Sequence, residues 1–159
     1  MYALSDFQEY IDGGNSNKLT VMKYNGTSWI AVGSAGFSAG VAKYNSLAFA
    51  PDGVPYIVYE DAGNSSKASV MKFNGTSWVI VGNAGFSASA AYFTSLAFAP
   101  DGAPYVVYAD GGSGSKASVM KFNGTSWVFV GNAGFSAGGT NYTSLAFAPD
   151  GVPYVAYLD

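Results

Sequence analysis

The stretch Ser46-Leu-Ala-Phe-Ala-Pro-Asp-Gly53 returns unchanged as Ser95–Gly102 and again as Ser144–Gly151. The interval is 49 residues both times, and Asn-Gly-Thr-Ser-Trp, starting at Asn25, Asn74 and Asn123, keeps the same interval. Residues 13–61, 62–110 and 111–159 are therefore three units in one register, preceded by a diverged leader, residues 1–12. The second and third units match at 37 of 49 positions, the mark of recent duplication or of design.

Working outward from that stretch, one unit contains four strand-like runs. In the copy that begins in mid-chain they are residues 94–99, 105–110, 117–122 and 126–130. Pro100-Asp101-Gly102 separates the first pair and Asn123-Gly124 the second. Both are strong hairpin signals, since Asn, Asp and Gly accept positive φ. A Gly/Ser loop joins the middle strands, and a long loop from Gly131 to about Tyr142 leads to the next unit. No stretch holds a 3.6-residue period with caps, so helix is not expected.

Four antiparallel strands in every 40–50 residues is the pattern of a β-propeller blade. The strands are apolar on both faces, with Leu145 and Phe147 alternating with Ala146 and Ala148. That suits a sheet packed between two neighbours. The fold expected is all-β, a propeller of four-stranded blades with three blade-equivalents per chain. A solenoid of equal period would show helices or Asn ladders, which are not seen.

The order Ser-Leu-Ala-Phe-Ala-Pro-Asp-Gly-Val-Pro-Tyr-Val-Ala-Tyr, with Lys-Ala-Ser-Val-Met-Lys-Phe, resembles the blades of NHL and YVTN-type propellers across all three units. The layout Trp-x-x-Val-Gly, Gly-Phe, Phe-Ala-Pro-Asp-Gly-x-x-Tyr is more loosely similar to that of tachylectin-like lectin propellers. Both resemblances imply that the first strand of each unit's Ser-Leu-Ala-Phe run lies innermost and the Trp strand outermost.

On that order the chain starts inside a blade. Residues 13–33 supply two outer strands, 44–82 and 93–131 two whole blades, and 142–159 two inner strands. Three blade-equivalents are too few to close a ring, because propellers use about four to eight. The ring is expected to close by homo-oligomerisation, one chain's C-terminal hairpin completing a blade with the next chain's N-terminal hairpin. Two chains give six blades and three give nine; blade number and the prevalence of two-fold symmetry favour the homodimer over the homotrimer. Tyr10 and Asp12 of the leader align with Tyr157 and Asp159, but Ser5, Asp6, Gln8 and Glu9 replace apolar positions, so the leader is expected to lie outside as a polar cap.

Composition narrows the function. Hydrophobic residues make up 49% and charged residues 11%, far from the disordered class. All seven basic residues are Lys, and the net charge is −3, which argues against a nucleic-acid partner. No apolar run approaches the length of a membrane helix, and Met1–Asp6 has neither the basic start nor the apolar core of a signal peptide. Without His or Cys there is no Ser-His-Asp triad, Cys-His pair or thiolate metal site, so no catalytic residues, no metal and no cofactor are expected and the chain does not read as an enzyme.

Several recurrent residues have two readings. Asp52, Asp101 and Asp150 lie in Pro-Asp-Gly turns, where bonding to local backbone outweighs a role as glycosidase carboxylates. Glu60-Asp61 is a weak calcium candidate, since the other copies read Ala109-Asp110 and Leu158-Asp159. Asp61 and Asp110 are expected to pair at the surface with Lys67 and Lys116, while Lys23, Lys72 and Lys121 should snorkel. The five Asn-x-Ser/Thr sequons, at Asn25, Asn64, Asn74, Asn123 and Asn141, read as incidental to a repeat built on Asn-Gly turns.

Trp29, Trp78 and Trp127 stand once per unit at the start of the outer strand, either as packing between outer strands or as a platform for sugar C–H faces. The long loop varies most among copies, so Asn83, Asn132, Tyr92 and Tyr142 join the Trp residues as candidate ligand-binding positions. Three function classes stay open: a multivalent binding module with a glycan partner, a structural or designed symmetric scaffold without a ligand, and, a distant third, hydrolysis.

Overall fold

The computed structural model describes residues 13–159, which form an all-β chain. An N-terminal pair, β1 (Met22–Tyr24) and β2 (Trp29–Ala31), is followed by a four-stranded sheet of β3 (Ala42–Phe49), β4 (Pro55–Asp61), β5 (Lys67–Phe73) and β6 (Trp78–Ile80). A second such sheet holds β7 (Ala91–Phe98), β8 (Pro104–Asp110), β9 (Lys116–Phe122) and β10 (Trp127–Phe129), and a C-terminal pair, β11 (Asn141–Phe147) and β12 (Pro153–Leu158), ends the chain. Every pairing is antiparallel and joins strands in chain order. The polar cap expected of residues 1–12 lies outside the described residues.

The turns form as their residues dictate. Asp52 and Asp101 each accept from the backbone N–H two residues on, at 3.1 and 3.0 Å, and Gly53 and Gly102 take φ of 83° and 87°. Asn74 Oδ1 accepts from both Thr76 N–H and Ser77 N–H, with Gly75 at φ 97°. These two tight turns share one end of each sheet. The middle-strand loop and the long inter-sheet loop share the other.

The first strand of each four-stranded sheet begins three residues before the start expected from the 94–99 run, and β11 two residues before. The pairing shifts register between Tyr92 and Ser95, and likewise between Lys43 and Ser46 and between Asn141 and Ser144. This bulge interrupts the two-residue alternation by which the strand start is read. At each bulge an aromatic residue holds positive φ: Tyr44 at 49°, Phe93 at 50° and Tyr142 at 49°.

Strand alternation sends side chains to both neighbours. Ile57 and Tyr59 of β4 join Leu19, Val21, Met71 and Trp78 on the side of the N-terminal pair. Val58 joins Ala91, Leu96, Val106 and Tyr108 on the side of the second sheet. Both faces of a complete sheet are thus core, as its doubly apolar strands imply. The first strands β3, β7 and β11 pack side by side, with Thr94 Oγ1 donating to the Tyr44 carbonyl and Thr143 Oγ1 to that of Phe93.

One charge assignment is corrected. Asp61 and Asp110 stand opposite Lys67 and Lys116 in the strand register, yet their side chains are 1% and 3% exposed and turn into the protein. Asp61 accepts from Gly63 N–H (3.0 Å), Asn64 Nδ2 (2.8 Å) and Ser69 Oγ (2.8 Å). Asp110 accepts from Gly112 N–H (3.0 Å), Ser113 Oγ (3.3 Å) and Ser118 Oγ (3.0 Å). Each carboxylate caps a single 3₁₀ turn by accepting from its second N–H, and charge-assisted bonds offset its desolvation.

Candidate functional site

The tight-turn end of the molecule carries a groove of about 530 Å³ between the two complete sheets. The first sheet lines it with Tyr56, Lys72 and Val81, and the second with the Asp101 turn, Pro104, Lys121, Phe122 and the Asn123 turn. A neighbouring groove of about 420 Å³ is lined by Asp52, Pro55, Tyr56, Lys72, Phe73 and Asn74. Apart from Tyr56, its lining residues are the 49-residue counterparts of those in the first groove.

Folding places these groups by simple rules. Lys72 and Lys121 lie in the third strands, directly opposite Tyr56 and Tyr105 in the second. The Lys121 ammonium stands 5.9 Å from the Tyr105 ring centre, a cation–π distance, with its alkyl stem along the sheet. Burial and then the Asp52 carboxylate push the Tyr56 hydroxyl pKa up from its ordinary value, so it stays protonated and able to donate. Asp101 Oδ1 and Asn123 Oδ1 are engaged by their own turns, at 3.0 and 2.9–3.0 Å. Those bonds fix both side chains at the groove rim. Aromatic and aliphatic walls with an ammonium, a carboxylate, an amide and a phenol suit a small polyhydroxylated ligand.

The residues singled out from sequence lie elsewhere. Trp78 and Trp127 are 7% and 8% exposed; their Nε1–H groups donate to the Val32 and Val81 carbonyls at 2.8 and 2.9 Å. Trp78 stacks on Phe37 at 4.7 Å and 9°, and Trp127 on Phe86 at 4.3 Å and 14°. Both rings are thus packing elements between outer strands, with no open face for a sugar. Trp29 is 66% exposed.

Asn83 and Asn132 are exposed on the long loops, at the end opposite the groove. Tyr92 is half-buried there, edge-on to Tyr44 at 6.1 Å, while Tyr142 is 72% exposed. The positive-φ aromatics form a column, Tyr44 to Phe93 at 4.6 Å and Phe93 to Tyr142 at 5.1 Å. Positive φ is costly for bulky side chains, by roughly 1–3 kcal/mol each, and threefold repetition makes it a fixed feature of the first strand. Glu60 and Asp61 are adjacent in β4 and project from opposite faces, so they form no joint cation site.

The groove residues were legible only as turn and strand formers. The signal that marks them is spatial: Tyr56, Lys72, Asp101 and Asn123 come from three different units and two sheets, and meet only when the sheets stack.

Neither a protein-family model nor a curated protein matches the chain. Among solved structures it is similar to a fucose lectin from Kordia zhangzhouensis in complex with methyl-fucoside, with a TM-score of 0.50 and 13% identity over 75% of this chain and 85% of that one. At that identity the likeness is one of fold: repeated antiparallel sheets in an all-β chain.

Proposed function

We propose that this chain is a binding module without catalytic activity that closes with a second copy into a six-bladed β-propeller and takes saccharides in the grooves between neighbouring blades. The observation that carries this reading is the groove itself, with its phenol, ammonium, carboxylate and amide supplied at positions that recur in every unit. Sugars present apolar C–H faces and hydroxyls together, and such a lining meets both. The fold likeness to a lectin supports the class of ligand without naming the sugar. Repetition of equal, weak sites around a ring favours multivalent surfaces, where avidity raises binding far above that of one site.

A scaffold without a ligand is the second reading. It is favoured by the Trp of the two complete sheets, which serves packing alone. A glycan array separates the two. Binding by the native protein that disappears in a Lys72→Ala/Lys121→Ala variant with unchanged circular dichroism supports the groove. Binding that survives the double variant moves the ligand to the Tyr142 end, and silence across the array favours the scaffold.

A further inference from the structure

The seam between neighbouring sheets is built twice inside the chain, and its two halves are left over at the chain ends. In each internal seam a Trp ring lies over a glycine of the preceding unit. A Cβ on Gly33 would stand 3.3 Å from Trp78 Cδ1, and one on Gly82 would stand 3.1 Å from Trp127 Cδ1. The same ring stacks on a Phe and donates to a Val carbonyl of that preceding unit, as described above.

The third copy of each half is bare. Trp29, 66% exposed, projects from the N-terminal pair with no sheet before it among the described residues. At the other end Phe135, the counterpart of Phe37 and Phe86, is 45% exposed, and a Cβ on Gly131 would meet nothing within 4 Å. One end therefore carries a knob and the other its hole, at matching positions of the 49-residue register.

A second pair of side chains repeats the pattern independently. Inside the chain Tyr56 meets Phe98 and Tyr105 meets Phe147, each edge-to-face at 4.9 Å. The unmatched members, Phe49 and Tyr154, are 62% and 63% exposed at opposite ends.

We infer that Trp29 of one copy seats over Gly131 and Phe135 of a second copy and donates to its Val130 carbonyl, with β1 of the first pairing onto β12 of the second. This rests on the ring closure proposed above and names the contact that makes it. The strand register carries over from the complete sheets, where Tyr105 faces Lys121 and Asp110 faces Lys116, so Tyr154 faces Lys23 and Asp159 faces Lys18. Assembly also completes the ligand sites. The 530 Å³ groove takes its walls from the two complete sheets of one chain; at the seam Lys23 and Asn25 of one copy meet Tyr105 and Asp150 of the other. The other grooves of the ring gain a wall from the second copy, which couples ligand binding to association by mass action.

The test uses two exposed substitutions at opposite ends. Trp29→Ala removes the knob, and Gly131→Asn fills the hole with a residue that tolerates positive φ, as Gly131 requires at 73°. Light scattering on a dilution series of the native chain is expected to give a multiple of 16.4 kDa. Each variant alone should dissociate at about 100-fold higher concentration, as the loss of a central Trp does at interfaces. An equimolar mixture should associate more tightly than either variant alone, because the knob of one and the hole of the other make one intact seam. A native oligomer that neither variant weakens would overturn the Trp29 seat and leave ring closure to other contacts. A native monomer at all concentrations would overturn both.

Discussion

Trp127 and Trp29 occupy the same place in the repeat, preceded in both units by Asn-Gly-Thr-Ser. Trp127 lies between two complete sheets, 8% exposed, with a stacked Phe and a carbonyl acceptor; Trp29 stands at the chain end, 66% exposed. The two regions differ in neighbours rather than in sequence. What a repeat residue contributes is therefore set by the sheet beside it, and the same substitution should have unequal consequences in the two regions.

The largest contrast is at the Trp itself. Trp127→Ala leaves a cavity against Phe86 and Phe122 and an orphaned Val81 carbonyl, and should cost about 3–5 kcal/mol in urea unfolding. Trp29→Ala, measured on dissociated chains, should change stability by less than about 0.5 kcal/mol. Equal losses at both positions would break the comparison.

The capping aspartates come next. Asp110→Ala strands three donors, among them the buried Ser118 hydroxyl, and should cost about 2–3 kcal/mol. Asp159, its counterpart after β12, has no third strand beside it among the described residues, so Asp159→Ala should be near neutral in a dissociated chain and costly in the assembly.

Alkaline pH probes the buried tyrosines. Burial first, then the nearby Asp61 and Asp110 carboxylates, push the Tyr59 and Tyr108 hydroxyl pKa values well above the ordinary 10. The folded state therefore holds protons that the unfolded chain releases near pH 10. Stability from these groups is fully present below pH 10 and falls as pH rises above it, by about 1.4 kcal/mol per pH unit for each tyrosine. Urea midpoints between pH 8 and 11 check this; a flat profile would contradict burial of both hydroxyls.

The smallest effect sharpens the comparison between the two complete sheets. Glu60 is 4% exposed, and its Oε2 has no hydrogen-bond partner among the described residues, whereas the second sheet has Ala109 at that position. Glu60→Ala should raise stability by about 1–2 kcal/mol, read as a higher melting temperature, because a poorly satisfied buried carboxylate is replaced by the residue its twin sheet already uses.

Much of the fold could be read directly. The Asn74-Gly75 and Pro51-Asp52-Gly53 turns and the doubly apolar strands fixed four strands per unit, since local backbone preference and two-sided burial leave few alternatives. The strand starts at Ala42, Ala91 and Asn141 were hidden by bulges whose Tyr44, Phe93 and Tyr142 adopt a backbone that bulky side chains rarely take. Asp61 and Asp110 read as surface charges because they border Gly/Ser loops; the hydroxyls of Ser69 and Ser118, eight residues later, were the signal of their burial. The Trp residues had two readings, and burial between sheets selected packing for Trp78 and Trp127.

By itself, then, the amino-acid sequence determined the repeat, its strands and turns, and the absence of the side chains that common catalytic triads require. Those follow from short-range chemistry: φ preferences, alternation and residue inventory. Only the tertiary structure decided which Trp is core and which is bare, which carboxylates are buried, and that Tyr56, Lys72, Asp101 and Asn123 share a groove. Those depend on what stacks against each sheet, and identical units carry no local record of their neighbours.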